Sequence, residues 1–120
     1  MTRSKTYGTV SAGTQKQMSG LEFVQGLVDG TLPLNTMART LAYDVTEAVS
    51  GRVVVTAEPS GIHLNPAGTV HGGLAATLLD SCMGLAIQIM VLPPTPSFRV
   101  DASTLAVKGA TVSRRLFASK

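Results

Sequence analysis

The longest apolar run in the chain is GGLAATLLDSCMGLAIQIM, Gly72 to Met90, with Asp80, Ser81 and Gln88 set into it. It predicts a long helix, which Pro93, Pro94 and Pro96 should end, because proline has no N–H to donate and crowds the preceding turn. Upstream, Ser19 followed by Glu22 is a capping-box signature, and Leu21, Phe23, Val24, Leu27 and Val28 recur at helical spacing before Gly30 as the stop. Thr31 to Thr36, with Pro33, is a connector. Arg39–Val49 (RTLAYDVTEAV) and Arg52–Glu58 (RVVVTAE) flank Ser50 and Gly51, which predicts two antiparallel strands joined by a tight turn. Pro59 to Thr69 is a loop rich in Pro, Gly and Asn. Phe98 to Val107 alternates in the strand manner, Lys108 to Ser113 reads as a turn, and Arg114 to Ser119 begins one more strand. Residues 1–18 form a loose polar lead-in, and 19–120 the folded domain.

A helix that is apolar nearly all round needs apolar surface over most of its circumference. The expected class is therefore α+β, an antiparallel β-sheet wrapped around a long central α-helix. LAATLLDSCMGLAIQIMVL, residues 74–92, is close to the length that spans a bilayer, but a carboxylate near mid-span costs about 2.5–3.5 kcal/mol on insertion scales, so Asp80 favours a helix inside a globular protein and no membrane partner. Composition agrees: 120 residues make one domain, and 44% hydrophobic with 14% charged residues argues against disorder. A domain this small often self-associates to cover apolar surface.

The single cysteine, Cys82, excludes an internal disulfide and, with only His63 and His71 beside it in composition, any zinc-ligand spacing. No metal or other cofactor is expected. The reading is a cytoplasmic protein, since the N-terminal stretch lacks the apolar core of a secretory signal. From Pro59 to Phe98 the only formal charge is Asp80, whereas Arg99, Lys108, Arg114, Arg115 and Lys120 against Asp101 make the C-terminal end basic. That end suits phosphate groups, or a solvated strand edge. Nucleic acid is a weak reading, because the basic residues are not interleaved with aromatics and the chain has only 2 Tyr, 3 Phe and no Trp.

The candidate chemistry gathers where loop meets helix, at Asn65-Pro66-Ala67-Gly68-Thr69-Val70-His71-Gly72-Gly73. A helix's first turn offers unpaired N–H groups and the positive end of its dipole, so Gly72 and Gly73 are candidates to hold a carbonyl oxygen that turns negative during attack. His71 before them is either a structural histidine or part of that site. Asp80 has apolar neighbours on both sides along the chain, where desolvation would make a carboxylate hold a proton more tightly, as a general base requires. The structural alternative is a carboxylate satisfied by Thr77, Ser81 or backbone. Asp80 lies nine residues after His71, about 13 Å along a helix, too far for both to act on one carbonyl from one chain. Two antiparallel copies of the helix would bring one chain's Asp80 to the other chain's Gly72, building two equal sites. Cys82, Met83 and Met90 read as core filling, and His63 as a surface polar residue.

Asn65, Gly68, His71, Gly72, Gly73 and Asp80, in the string NPAGTVHGGLAATLLD, resemble the signature of the hotdog-fold acyl-CoA thioesterases, in the phenylacetyl-CoA thioesterase branch. Weaker similarity extends through SGLEFVQGLVDGTLP and GRVVVTAEPS, and forward to about Gly109. The resemblance implies a homodimer or dimer of dimers, hydrolysing acyl- or aryl-CoA to acid and CoA without a cofactor. It implies that the Gly72 N–H polarises the thioester carbonyl, His71 orients the thioester, Asn65 helps place water or substrate, and Asp80 of the partner acts as base or nucleophile. Gly68, Gly73, Arg99 and Lys108 would line the substrate, the basic pair meeting the phosphates of CoA. It also implies a serine or threonine in the strand after the helix, where Arg99 stands with Thr95 and Ser97 nearby, and two further C-terminal strands, so that a truncated, inactive homologue is one alternative. A hotdog module that binds acyl-CoA without turnover is the other. A hotdog hydratase or dehydratase would also use a carboxylate and His, but resembles the N-x-x-G-x-x-H-G-G run less.

Overall fold

The computed structural model describes residues 4–90 and the backbone of Ala110–Val112. In chain order these form α1 (Ala12–Lys16), α2 (Gly20–Asp29), α3 (Thr36–Thr40), β1 (Tyr43–Val49), β2 (Arg52–Ala57), a single 3-10 turn (Gly61–His63), α4 (Gly72–Met90) and β3 (Ala110–Val112). The class is α+β: α2 and α4 pack side by side on one face of the sheet, α2 over β1 and α4 over β2 and β3.

Local chemistry accounts for the elements. Ser19 accepts the Glu22 N–H at 3.1 Å while the Glu22 carboxylate accepts the Ser19 N–H at 2.7 Å, so α2 starts where its capping box stands. Gly30 ends it in the left-handed conformation, at φ 82°, which a side chain would resist. Arg39 to Ala42, expected as the start of a strand, instead close α3 and turn: Asn35 caps α3 through the Ala38 N–H, and Ala42 takes φ 53° before the chain extends. A short polar cap outweighs the strand-like composition there.

β1 and β2 form the antiparallel hairpin around Ser50 and Gly51, with Tyr43 opposite Ala57 and Val49 opposite Arg52. Strict alternation from Tyr43 and Val45 would send Glu47 inward. A bulge at Thr46, between the Val45 and Glu47 pairings, shifts the phase so that Ala48 is buried and Glu47 reaches Arg52 on the surface at 3.5 Å. The sheet is not antiparallel throughout as expected: β3 pairs with β2 in parallel, Val53 opposite Ala110. Parallel neighbours need a long crossover, and the connection containing α4 supplies one. Ala110–Val112 is also strand where a turn was expected; the strands expected at Phe98–Val107 and Arg114–Ser119 lie outside the described residues.

α4 buries one stripe, Leu74, Leu78, Cys82, Ala86 and Ile89, against the sheet and α2. The described residues do not enclose it all round. Leu79, Met83 and Met90 are exposed, so the two methionines are not the core filling expected of them; they lie off the stripe that meets β2. Cys82 is buried as expected, with its Sγ 3.5 Å from the Val53 carbonyl.

Residues 5–8, in the stretch expected to be loose, are tied to the rest of the fold. Gly8 N–H donates to Leu34 O at 2.8 Å and Leu34 N–H to Thr6 O at 2.9 Å, a one-step bridge to the connector after α2. Lys5 donates to Leu27 O and Val45 O, and its ammonium lies 3.1 Å from Asp44 Oδ1, the buried carboxylate oxygen that otherwise has no hydrogen bond.

Replacing Ser19 by Ala should destabilise the protein by about 1 kcal/mol, read from the urea midpoint. Glu22 sits below the usual carboxylate range because the Ser19 N–H, then the Ser19 hydroxyl, stabilise its charged form. Its contribution is present above the unfolded carboxylate pKa and is lost as pH falls through the lowered folded value, so Glu22→Gln should flatten that acid limb of stability.

Candidate functional site

The loop into α4 is organised by Asn65. Its Oδ1 accepts from the Ala67 and Thr69 N–H groups at 3.0 and 3.2 Å, its Nδ2 donates to Thr69 Oγ1 at 2.8 Å, and its backbone pairs with Thr69 and Gly68. Gly68 completes the turn at φ 79°. Both residues were expected to meet water or substrate; in the chain alone they build the loop, which takes the Asn65 carbonyl oxygen twice and one N–H of its amide. A short polar side chain in a turn satisfies neighbouring N–H groups first.

His63 was expected at the surface and is buried. Its Nδ1 accepts the Ser60 N–H at 3.0 Å, and its Nε2 lies 3.4 Å from Thr40 O, which ties the loop to the end of α3. The carbonyl of His63 accepts the His71 N–H at 2.8 Å. The sequence gives one sign of this, the pairing of Ser60 with His63 at capping-box spacing around a single turn.

At the start of α4 four N–H groups have no partner within the helix ladder. His71 N–H goes to His63 O. Gly73 N–H donates to the His71 ring at Nδ1, 2.8 Å away, and Leu74 N–H donates to His71 O at 3.0 Å. Only Gly72 N–H is left without a partner among the described residues. The two glycines therefore have different reasons to be glycine. A Cβ on Gly73 would sit 2.9 Å from His71 Nδ1, whereas a Cβ on Gly72 would meet nothing within 4 Å. Gly73 makes room for the histidine, and Gly72 faces open space. Because Nδ1 accepts, the neutral His71 ring carries its proton on Nε2 and presents a donor outward. His71 and Gly73 share a cleft of about 320 Å³ with His63 and Thr77.

Asp80 is not there. It lines a separate cavity of about 480 Å³ with Ser81, Tyr43 and Asn35. The expected desolvation of Asp80 is not met within one chain: it is exposed, since it lies about 200° around the helix from both Leu78 and Cys82 on the buried stripe. Nor is it held by the suggested neighbours, because Thr77 donates to Gly73 O at 2.9 Å and Ser81 to the Tyr43 hydroxyl at 3.2 Å. Ser81, Tyr43 and Asn35 were not singled out from sequence; only the fold brings them together. Arg99 and Lys108 lie outside the described residues. Among the described residues no His, Cys, Asp and Glu group could hold a metal ion.

In one chain, then, His71 and Asp80 line two separate clefts, and Gly72 at the start of α4 faces open space. Compared with family models, curated proteins and solved structures, the chain matches none.

Asn65→Ala should cost about 1–3 kcal/mol and speed amide exchange at Ala67 and Thr69, whereas Asn65→Asp, which keeps the acceptor, should protect both amides.

Proposed function

We propose that this chain is the subunit of a hotdog-type acyl-CoA thioesterase whose sites form between two copies. The observation that carries the reading is the placement of an exposed Asp80 on an otherwise apolar face of α4, eight residues from the one N–H of the helix start that has no partner among the described residues. Eight residues span about 12 Å along a helix, so a two-fold axis at the midpoint, Ala76, sets each Asp80 opposite the partner's Gly72. That pairing also covers Leu79 and Met83 and desolvates Asp80. The likeness of NPAGTVHGGLAATLLD to the thioesterase signature supports the same residues in the same roles.

In the reaction the thioester carbonyl oxygen accepts from Gly72 N–H and from His71 Nε2–H. Asp80 of the partner takes a proton from water as the water oxygen bonds to the carbonyl carbon, or attacks that carbon itself. Negative charge gathers on the oxygen held by Gly72, a position fixed before reaction and thus effective in lowering the barrier. Collapse breaks the C–S bond and the thiolate of CoA leaves; on the base route it gains the proton that Asp80 holds, and on the nucleophile route water then hydrolyses the acyl-aspartyl anhydride, which frees the acid and Asp80 and supplies the thiolate's proton. Arg99 and Lys108 supply charge suited to the CoA phosphates.

Purified protein should release free thiol from a panel of acyl- and aryl-CoA esters, and Asp80→Asn should lower the rate by about a hundredfold or more. Gly72→Pro removes the one N–H while fitting the first position of a helix. Each variant alone should be inactive, and an equal mixture that exchanges subunits should recover about a quarter of the sites. Recovery of none, with heterodimers present, refutes sites shared between chains. Ala76→Cys should cross-link two copies on oxidation; monomer alone counts against the two-fold axis. A stable dimer that binds acyl-CoA without turnover leaves the binding module as the function.

A further inference from the structure

The cavity beside Asp80 is closed on one side by the N-terminal segment, through Gly8, Thr9, Val10 and Gln15. The remaining wall is largely apolar: Phe23 and Leu27 of α2, Leu34, and Leu85 of α4. At about 480 Å³ it falls in the range of small-molecule sites, about 300–1,000 Å³. We propose that this cavity takes the acyl group, and that residues 6–16 are a strap forming its outer wall and setting which acyl groups fit. The proposal rests on the thioesterase reading for the identity of the ligand, and on the cavity itself for the site.

The strap is held at both ends of its course over the cavity. Before it, Lys5 is tied to Leu27 O, Val45 O and Asp44, and the Tyr7–Leu34 bridge pins the backbone. After it, Ser11 caps α1 through the Thr14 N–H at 3.1 Å, and Gln15 Nε2 donates back to Val10 O at 2.8 Å, which fixes the bend that brings Val10 and Gln15 to the cavity. These ties are backbone and polar contacts on a segment that adds no side chain to the buried core, so the wall can change without dismantling the fold.

The polar groups inside the cavity define the ligand further. Ser81 Oγ donates to the Tyr43 hydroxyl at 3.2 Å, the Tyr43 hydroxyl donates to Asn35 Oδ1 at 3.0 Å, and that same oxygen accepts the Ala38 N–H at 3.1 Å. Both hydroxyl protons are spent within the chain of bonds, so Ser81 and Tyr43 meet a ligand as acceptors rather than donors. The acyl group lies along the apolar wall, with its carbonyl at Asp80.

Val10→Phe, which fills the cavity from the strap, tests this directly. The probe is 4-fluorophenylacetamide, followed by its fluorine NMR signal against the intact protein, with circular dichroism confirming the fold. Wild type should bind it, and Val10→Phe should weaken binding by about tenfold or more, with a matching fall in the ratio of phenylacetyl-CoA to acetyl-CoA kcat/KM. If Val10→Phe does not fold, Gln15→Ala, which frees the bend, should weaken probe binding in the same assay. No probe binding to wild type, or binding unaltered in the variants, overturns the strap. Probe binding that the variants abolish, in a protein that hydrolyses no thioester, upholds the strap and overturns the thioesterase reading.

Discussion

The packing of α4 on β2 is the constraint to which everything else in the described structure answers. Leu78, Cys82, Val53 and Val55 are wholly or almost wholly buried at that seam, and each such side chain contributes about 1.5–3 kcal/mol by leaving water. With the stripe Leu74–Leu78–Cys82–Ala86 fixed inward, the helical repeat fixes what faces outward: Ala76, Leu79, Asp80 and Met83. The rotation of Asp80 to the surface is thus a consequence of core packing, and so is the gap between it and the sheet that the N-terminal segment closes. The bulge at Thr46 belongs to the same constraint, since it keeps the charged Glu47 out from under α2.

Legibility in the sequence followed the range of the interaction. The capping box at Ser19, the stop at Gly30, the hairpin at Ser50 and Gly51, and the start of α4 are set by residues a few positions apart, and all stand where the pattern places them. What misled was composition taken without topology. RTLA looks like strand but is governed by the Asn35 cap; Met83 and Met90 look like core but fall on the wrong side of the helix; His63 looks like a loop surface residue but is drawn in by Ser60 and Thr40. The bulge and the parallel entry of β3 depend on partners distant in sequence, and no local pattern announces them.

The candidate site divides in the same way. The motif names Asn65, Gly68, His71, Gly72, Gly73 and Asp80 at once, but not that Asn65 and Gly68 serve the loop while Gly73 serves the histidine. That partition emerges only when each hydrogen bond is assigned, and it leaves the Gly72 N–H, the His71 Nε2 and the Asp80 carboxylate with capacity to spare. Tyr43, Ser81 and Asn35 are invisible as a set, because 38 positions separate the tyrosine from the serine that donates to it.

The occupancy of the α4 start also fixes what kind of anion it can serve. A phosphate at a helix terminus is usually gripped by several N–H groups converging on more than one of its oxygens. Here the loop and the His71 ring have already claimed three of the four, so the helix offers a single directed donor with the imidazole beside it. Such an end discriminates by the number of donors it offers: a tetrahedral anion, which gains from several N–H groups at once, meets one open backbone donor among the described residues.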